Sequence, residues 1–387
     1  MKSVLLVCLL VVGAARADEL AIAFVGRAGL VSSPYGSLEA PIGDQGIAGA
    51  RVGIADDNKT GELTGQSFVL KPYVVSGQNG IAVAAAAIAA DHIRFVVADL
   101  DEGDLRALAT LPGAEKFLIL NAGAPDDRLR EEACLPGVLH TLPSRAMLTD
   151  ALAQYLVWKQ WRRWFVVMGP TPADKLYAAA LRRSAKKFGA AIAAEKDWTF
   201  RTTNARADTG HVTLQTEIPA FTRVADHDVL VVADETDEFG DYLEGRTALP
   251  RPIAGTSGLV ASGWSAVNEQ WGATQLQQRF RKSAGRPMTP VDYAAWLAVR
   301  ALGEAATRAA TTEPDALAAY LRGPDFLVAG FKGQGQSFRA WDGQMRQPIL
   351  IAGPRLLVSV SPQPGYLHRT SELDTLGTDR DESKCRK

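Results

Sequence analysis

The feature that most constrains this chain is an alternation of short, almost unbroken apolar runs with longer segments of helical periodicity. "ELAIAFVG" (19–26), "QSFVLKPYVV" (66–75), "IRFVVAD" (93–99) and "KFLILNA" (116–122) are runs of the first kind. "GIAGARVGIADDN" and "GIAVAAAAIAADH" lie between them and read as helices. Strands that are apolar on both faces belong to parallel sheets covered by helices on either side. Their alternation with helices predicts an α/β architecture.

After "HTLPSRA" (140–146) the alternation restarts with a helix over 147–161, the strand "RRWFVVMG" and the helix "KLYAAALRRSAKKFGA". "AIAAEKDWTF" and "DHDVLVVAD" (226–234) follow as strands, with a helical stretch around "HVTLQTEIPAFTRVA" between them and "RPIAGTSG" (251–258) beyond. Two long helical patterns and a β-like end, "GQSFRAWDG" and "QPILIAGPRLLVSV", complete the series before a polar tail. With 387 residues the chain suits two lobes, since single cores stop growing near about 250–300 residues. In each unit the third strand ends in Val-Val-Ala-Asp followed by acids: "VVADLDEGD" (96–104) and "VVADETDEFGD" (231–241). Ligands of parallel sheets bind beyond the carboxyl ends of the strands, where both acidic stretches begin.

Two readings of these acids stay open. In one, Asp101, Glu102 and Asp104, and later Asp237, Glu238 and Asp241, charge the starts of helices, each contributing about 0.3–1 kcal/mol. In the other, carboxylates from both lobes converge on a hard cation or a cationic ligand. Calcium-like ions want about six to eight oxygen ligands, which two lobes can supply and one short turn cannot. Asp99 and Asp234, directly on the strand ends, are the metal-ligand candidates for a calcium or lanthanide ion. Asp101, Glu235 and Asn121 (at the end of the fourth strand) join them as ligand-binding candidates, with Tyr35 and Trp264 as cleft aromatics. The first stretch is not an EF-hand, because Thr110 stands where the bidentate glutamate belongs. Trp158 and Trp161 read as a buried helix face and Trp164 as the start of a strand, in preference to a membrane contact.

Forty-two basic residues nearly balance forty-three acidic ones, which argues against a nucleic-acid partner. The N-terminus, "MKSVLLVCLLVVGAARA", has a positive residue, an apolar run and a small-x-small end, the pattern of an export signal cleaved after Ala17. The run is shorter than the roughly 20 residues that span a bilayer. Removing residues 1–17 leaves Cys134 and Cys385, and an even count in an exported chain favours a disulfide over two free thiols. There is no nucleophile elbow, P-loop, dinucleotide fingerprint or H-E-x-x-H. The five histidines have no metal-ligand spacing. Nothing here assembles a nucleophile with its base, so the chain does not read as an enzyme, and no cofactor is expected to be required.

"GARVGIADDNKTGELTGQSFVL", "RRWFVVMGPTPADKLYAAALRRSAKKFGA" and "TPVDYAAWLAVRALGEAATRA" resemble the first helix, second-lobe start and late helix of the type I periplasmic binding proteins. These are the leucine/isoleucine/valine-binding-protein-like receptors of ABC transporters, and the likeness covers 18–360. It implies a monomer of two doubly wound parallel-sheet lobes joined by three crossovers, near 140–146, 255–264 and 323–330. Lobe 1 would be 18–141 plus 262–326, lobe 2 142–261 plus 327–360, and 361–387 a tail. It also implies periplasmic location, a small ligand between the lobes and a permease partner. The tail "LHRTSELDTLGTDRDESKCR" resembles the subgroup encoded with PQQ-dependent alcohol dehydrogenase systems. "DLDEGD" replaces the small hydroxyl residues with which amino-acid-binding members hold an α-carboxylate, so an ordinary amino-acid ligand is not expected. A sensing or accessory docking protein for a periplasmic dehydrogenase is the alternative.

Overall fold

The computed structural model describes residues 18–31, 40–200 and 208–385. The chain begins β1 (Asp18–Arg27), α1 (Ile47–Thr64), β2 (Gln66–Val75), α2 (Gly80–Ala90), β3 (Phe95–Asp99), α3 (Glu102–Thr110), β4 (Leu118–Asn121) and β5 (Val138–His140). These strands form one parallel sheet in the order β2-β1-β3-β4-β5. The second unit runs α4 (Arg145–Trp158), β6 (Arg163–Met168), α5 (Pro172–Phe188), β7 (Ala191–Asp197), α6 (Asp208–Phe221), β8 (Val229–Ala233), α7 (Gly240–Leu243), β9 (Ile253–Gly255) and β10 (Leu259–Ser262). Then come α8 (Ala273–Ala284), α9 (Pro290–Ala309), α10 (Pro314–Arg322), β11 (Val328–Ala329), β12 (Gly335–Phe338), β13 (Met345–Arg346), β14 (Ile349–Ala352) and β15 (Leu357–Ser361).

The second sheet is ordered β15-β14-β10-β9-β8-β6-β7, parallel from β10 to β7, with β14 and β15 antiparallel at one edge. Its parallel part repeats the first: β7-β6-β8-β9-β10 matches β2-β1-β3-β4-β5. The two Val-Val-Ala-Asp strands, β3 and β8, therefore hold the same place in their sheets. Each sheet is covered on both faces, which is why its central strands, β3, β4 and β8, are buried apolar runs. In lobe 1, Trp296 and Val299 of α9 pack on one face with Phe24 and Val97, and Ile88, Leu105 and Leu108 on the other with Val25 and Val96. In lobe 2, Leu152, Leu156 and Leu181 cover Trp164 and Val231, while Trp198, Ile218 and Phe239 cover Phe165 and Val232. Helices α5 and α9 start on full capping boxes, Thr171 with Asp174 and Thr289 with Asp292, each followed by a proline. Such reciprocal caps satisfy two orphan donors at a helix start.

The first crossover joins β5 to α4 and the second joins β10 to α8. The third lies later than the 323–330 expected. Val328, Phe338 and Met345 still pack in the lobe 1 core, whereas Ile349 and Ile351 pack in lobe 2. The intervening residues form a small antiparallel sheet, β11-β12-β13, whose two- and four-residue strands leave no periodic signal. The crossovers are tied together. Gln347 donates to the Thr141 carbonyl (2.7 Å) and accepts from the buried Lys332 ammonium (2.6 Å), which also donates to the Gly263 carbonyl (2.9 Å). Burial lowers the Lys332 pKa well below its ordinary value.

One further expectation is corrected. Trp158 is 47% exposed at the end of α4 rather than buried, while Trp164 is fully buried. The tail is tied into the fold by the disulfide that the cysteine count favoured. Cys134 and Cys385 are bonded, with Cα atoms 5.6 Å apart. The buried Arg339 donates to Asp374 (2.9 Å) and to the Leu373 and Leu376 carbonyls. Among the described residues, no helix is long and apolar enough to cross a membrane.

Candidate functional site

The carboxyl ends of both sheets meet at Arg145, the first residue of α4. A cation there is opposed by the helix dipole, which favours negative charge at a helix start. Two carboxylates offset this. The guanidinium donates to both oxygens of Glu235 (2.9 and 2.8 Å), just past β8 in lobe 2. It also donates to Asp126 (2.8 Å), on the loop past β4 in lobe 1. Arg145 is buried, and the Asp126 and Glu235 side chains are each 19% exposed. Burial pushes the Glu235 pKa up, against the pull of Arg145. The same lobe 1 loop grips α4 at two further points: Asp127 accepts from the Ala146 amide (2.9 Å), and the Pro125 carbonyl accepts from the Arg145 amide (3.0 Å). Sequence reasoning missed Arg145 and Asp126. The available signal was an arginine directly after the N-cap Ser144, a position where it needs acidic partners.

Asp99 ends β3 as a half-buried carboxyl. It is pressed between two glycines. A Cβ on Gly46 would lie 2.6 Å from Asp99 Oδ2, and one on Gly123 2.7 Å from Oδ1. No described residue donates a hydrogen bond to its carboxylate. Loss of solvent, and then the negative charge of Asp292, push its pKa up to about 7.

The other sequence candidates go elsewhere. Asp234 is buried, and its carboxylate accepts from the amides of Glu238 (3.0 Å), Phe239 (2.7 Å) and Gly240 (2.8 Å). It is spent on its own turn and does not reach across to Asp99 as a metal ligand. Asp101 is the N-cap of α3, accepting from the Asp104 amide (2.8 Å). Asp104 pairs with Arg27 (2.7 Å) and Glu102 with Arg106 (3.3 Å). Asn121 is fully buried and closes the turn after β4, accepting from Gly123 and Ala124 amides and lying 3.0 Å from His140 Nδ1. Trp264 is a core residue, 1% exposed and stacked on Tyr293 at 4.5 Å between ring centres. Tyr35 lies outside the described residues. Among the described residues, no three His, Cys, Asp or Glu side chains gather where they could hold a metal ion.

Two α/β lobes of repeated topology, joined by three crossovers with a polar seam between them, define the type I periplasmic binding protein fold, and this chain has it. The family described as periplasmic binding protein matches residues 26–208. A search of curated proteins gives no match. Among solved structures, a branched chain amino acid ABC transporter periplasmic ligand-binding protein from Burkholderia xenovorans is 14% identical, with a TM-score of 0.69 over 88% of this chain and 95% of its own. A solute-binding protein from R. palustris, solved with benzoate, is 11% identical, with a TM-score of 0.66 over 95% of this chain and 100% of its own. A leucine-, isoleucine-, valine-, threonine- and alanine-binding protein from Brucella ovis, in a closed conformation, is 17% identical, with a TM-score of 0.66 over 87% and 90%.

Proposed function

We propose that this chain is the exported solute-binding component of an ABC transporter, working in the periplasm as a monomer after cleavage behind Ala17. It holds a small ligand between its lobes and presents it to a permease. The observation that carries this reading is the Asp126–Arg145–Glu235 bridge. It sets the carboxyl ends of β4 and β8 side by side, where parallel sheets take ligands. A ligand that contacts both lobes binds the closed arrangement better than the open one, and so shifts the population toward it.

The site's charges bear on the ligand class. Arg145 already has two carboxylates, so a ligand carboxylate would have to compete with both. Asp99 offers a carboxyl with its pKa near neutral, suited to a hydroxyl or a cationic group. The narrower reading supported by the tail's resemblance is a solute of PQQ-dependent alcohol oxidation, whether the alcohol, its acid product, the cofactor or its metal; of these the alcohol fits the site's charges best. Calcium or a lanthanide is the least supported of these, because Asp234 is committed to its own turn.

Melting-temperature measurements against alcohols, their acids, the quinone cofactor, amino acids, calcium and a lanthanide test the proposal. One organic solute is expected to raise the melting temperature in a saturable way, and Asp99→Asn to weaken that rise. No response to any solute by a folded, cleaved protein contradicts the transport reading. A response to an ordinary amino acid that Asp99→Asn leaves unchanged contradicts the ligand class.

A further inference from the structure

A second concavity lies at the other end of lobe 1, against the amino ends of its strands. It has a volume of about 560 Å³ and is bounded by the starts of β3, β4 and β5, the end of α3, and α10. That volume lies within the roughly 300–1,000 Å³ of small-molecule sites. Leu111, Pro136 and Ala318 give it apolar walls.

Its charge is unbalanced in a particular way. Arg94, Lys116 and Arg322 line it, against Glu115 and Asp315. Arg322 is half-buried, and its guanidinium donates only to main-chain carbonyls, Pro136 (3.2 Å) and Ala318 (3.4 Å). Among the described residues no carboxylate stands within ion-pair distance of it. Arg94 is half-buried and its Nε donates to the Lys116 carbonyl; its carboxylate partner Asp315 (3.3 Å) is 96% exposed, so water and salt screen that pair. Lys116 and Glu115 are both exposed. A guanidinium deprived of part of its water and given only carbonyl dipoles gains more from an anion than a solvated one does, and its fork matches a carboxylate bidentately.

We propose that this pocket is a second small-molecule site, for an organic monoanion with an apolar body, its carboxylate taken by Arg322 with Arg94 beside it. The apolar walls hold the body of the ligand. The site is built entirely from lobe 1 and lies away from the crossovers, so it does not depend on the reading of the interlobe cleft.

Benzoate serves as the probe, with inorganic phosphate as the anion lacking an apolar body. Titrating each into the full, ¹⁵N-labelled chain separates the two sites: the amides of Ala114 and Gly137 report the pocket, and Gly123 reports the cleft. Saturable benzoate shifts at Ala114 and Gly137 are expected, with phosphate weaker. Arg322→Gln is expected to weaken binding at least tenfold and Arg94→Gln a few-fold. Should Arg322→Gln fail to fold, Arg94→Gln, at a half-buried position, carries the test. Shifts at Gly123 alone, no saturation at Ala114 and Gly137, phosphate binding as well as benzoate, or unchanged affinity in the folded variants each overturn the proposal.

Discussion

The two Val-Val-Ala-Asp segments have the same four residues at the same place in topologically matching sheets, yet their aspartates have opposite fates. Asp234 gives its carboxylate to three amides of the turn that follows. Asp99 takes none from a described residue and sits between Gly46 and Gly123. What comes next in the chain decides the difference. After β3, Asp101 caps α3 itself, so Asp99 is not needed for that purpose. After β8, the N-cap of α7 is Phe239, which has no side chain to cap with, and Asp234 reaches forward to satisfy the Phe239 and Gly240 amides. The strand end sets where a carboxylate stands; the next helix start sets whether it is free.

This contrast can be broken in four ways. The largest effect is expected from Asp234→Ala, which leaves two buried amides, Phe239 and Gly240, and the part-buried Glu238 amide without their charged acceptor and costs about 3–4 kcal/mol of stability. Chemical denaturation measures it, and a loss below about 1 kcal/mol would mean that the turn holds without its cap. Next, Arg145→Gln strands Asp126 and Glu235 beside each other without their cation. Removing one partner of a buried pair costs about 3–5 kcal/mol, and the partial exposure of both carboxylates reduces this to about 2–3 kcal/mol. The same denaturation curve checks it, and the two lobes should then unfold less cooperatively.

Gly123→Ala is expected to cost about 2 kcal/mol, the range for overpacking. Its Cβ would fall 2.6 Å from the Leu100 amide nitrogen and 2.7 Å from Asp99 Oδ1. Relief by Asp99→Ala in the double variant would locate the clash at the carboxyl; no relief would locate it at the backbone. The fourth test reads the pH dependence of Asp99. Its folded pKa is raised to about 7, above the unfolded value near 3.9. The folded state then binds more protons than the unfolded state in that window, so stability falls as pH rises from about 4 to 7. Comparing wild type with Asp99→Asn across that range should show a flatter profile in the variant. An identical slope would assign the titration to another group.

Most of the fold is legible in the sequence because both sheets are covered on two faces and so write their strands as unbroken apolar runs. "QSFVLKPYVV" matches β2 residue for residue. The small sheet β11-β12-β13 is not legible, since its pairing is set by residues far from the apolar runs, and with it goes the third crossover. The site is less readable than the fold. Strand ends locate Asp99, Asp234 and Glu235, but hydrogen bonding decides their roles, and the partners of Asp234 lie four to six residues on. Asn121 and Trp264 illustrate the same limit: a polar or aromatic residue beside a cleft is as readily consumed by a turn or a core.

The central claim is that Asp99 serves the ligand while Asp234 serves the fold. The most direct test measures melting temperatures of wild type, Asp99→Asn and Asp234→Asn, each with and without the solute that the screen identifies. Asp99→Asn should not lower the ligand-free melting temperature and should lose most of the ligand-induced rise. Asp234→Asn should lower the ligand-free value and keep the rise. The reverse pattern, with the ligand response lost in Asp234→Asn and intact in Asp99→Asn, would contradict the account.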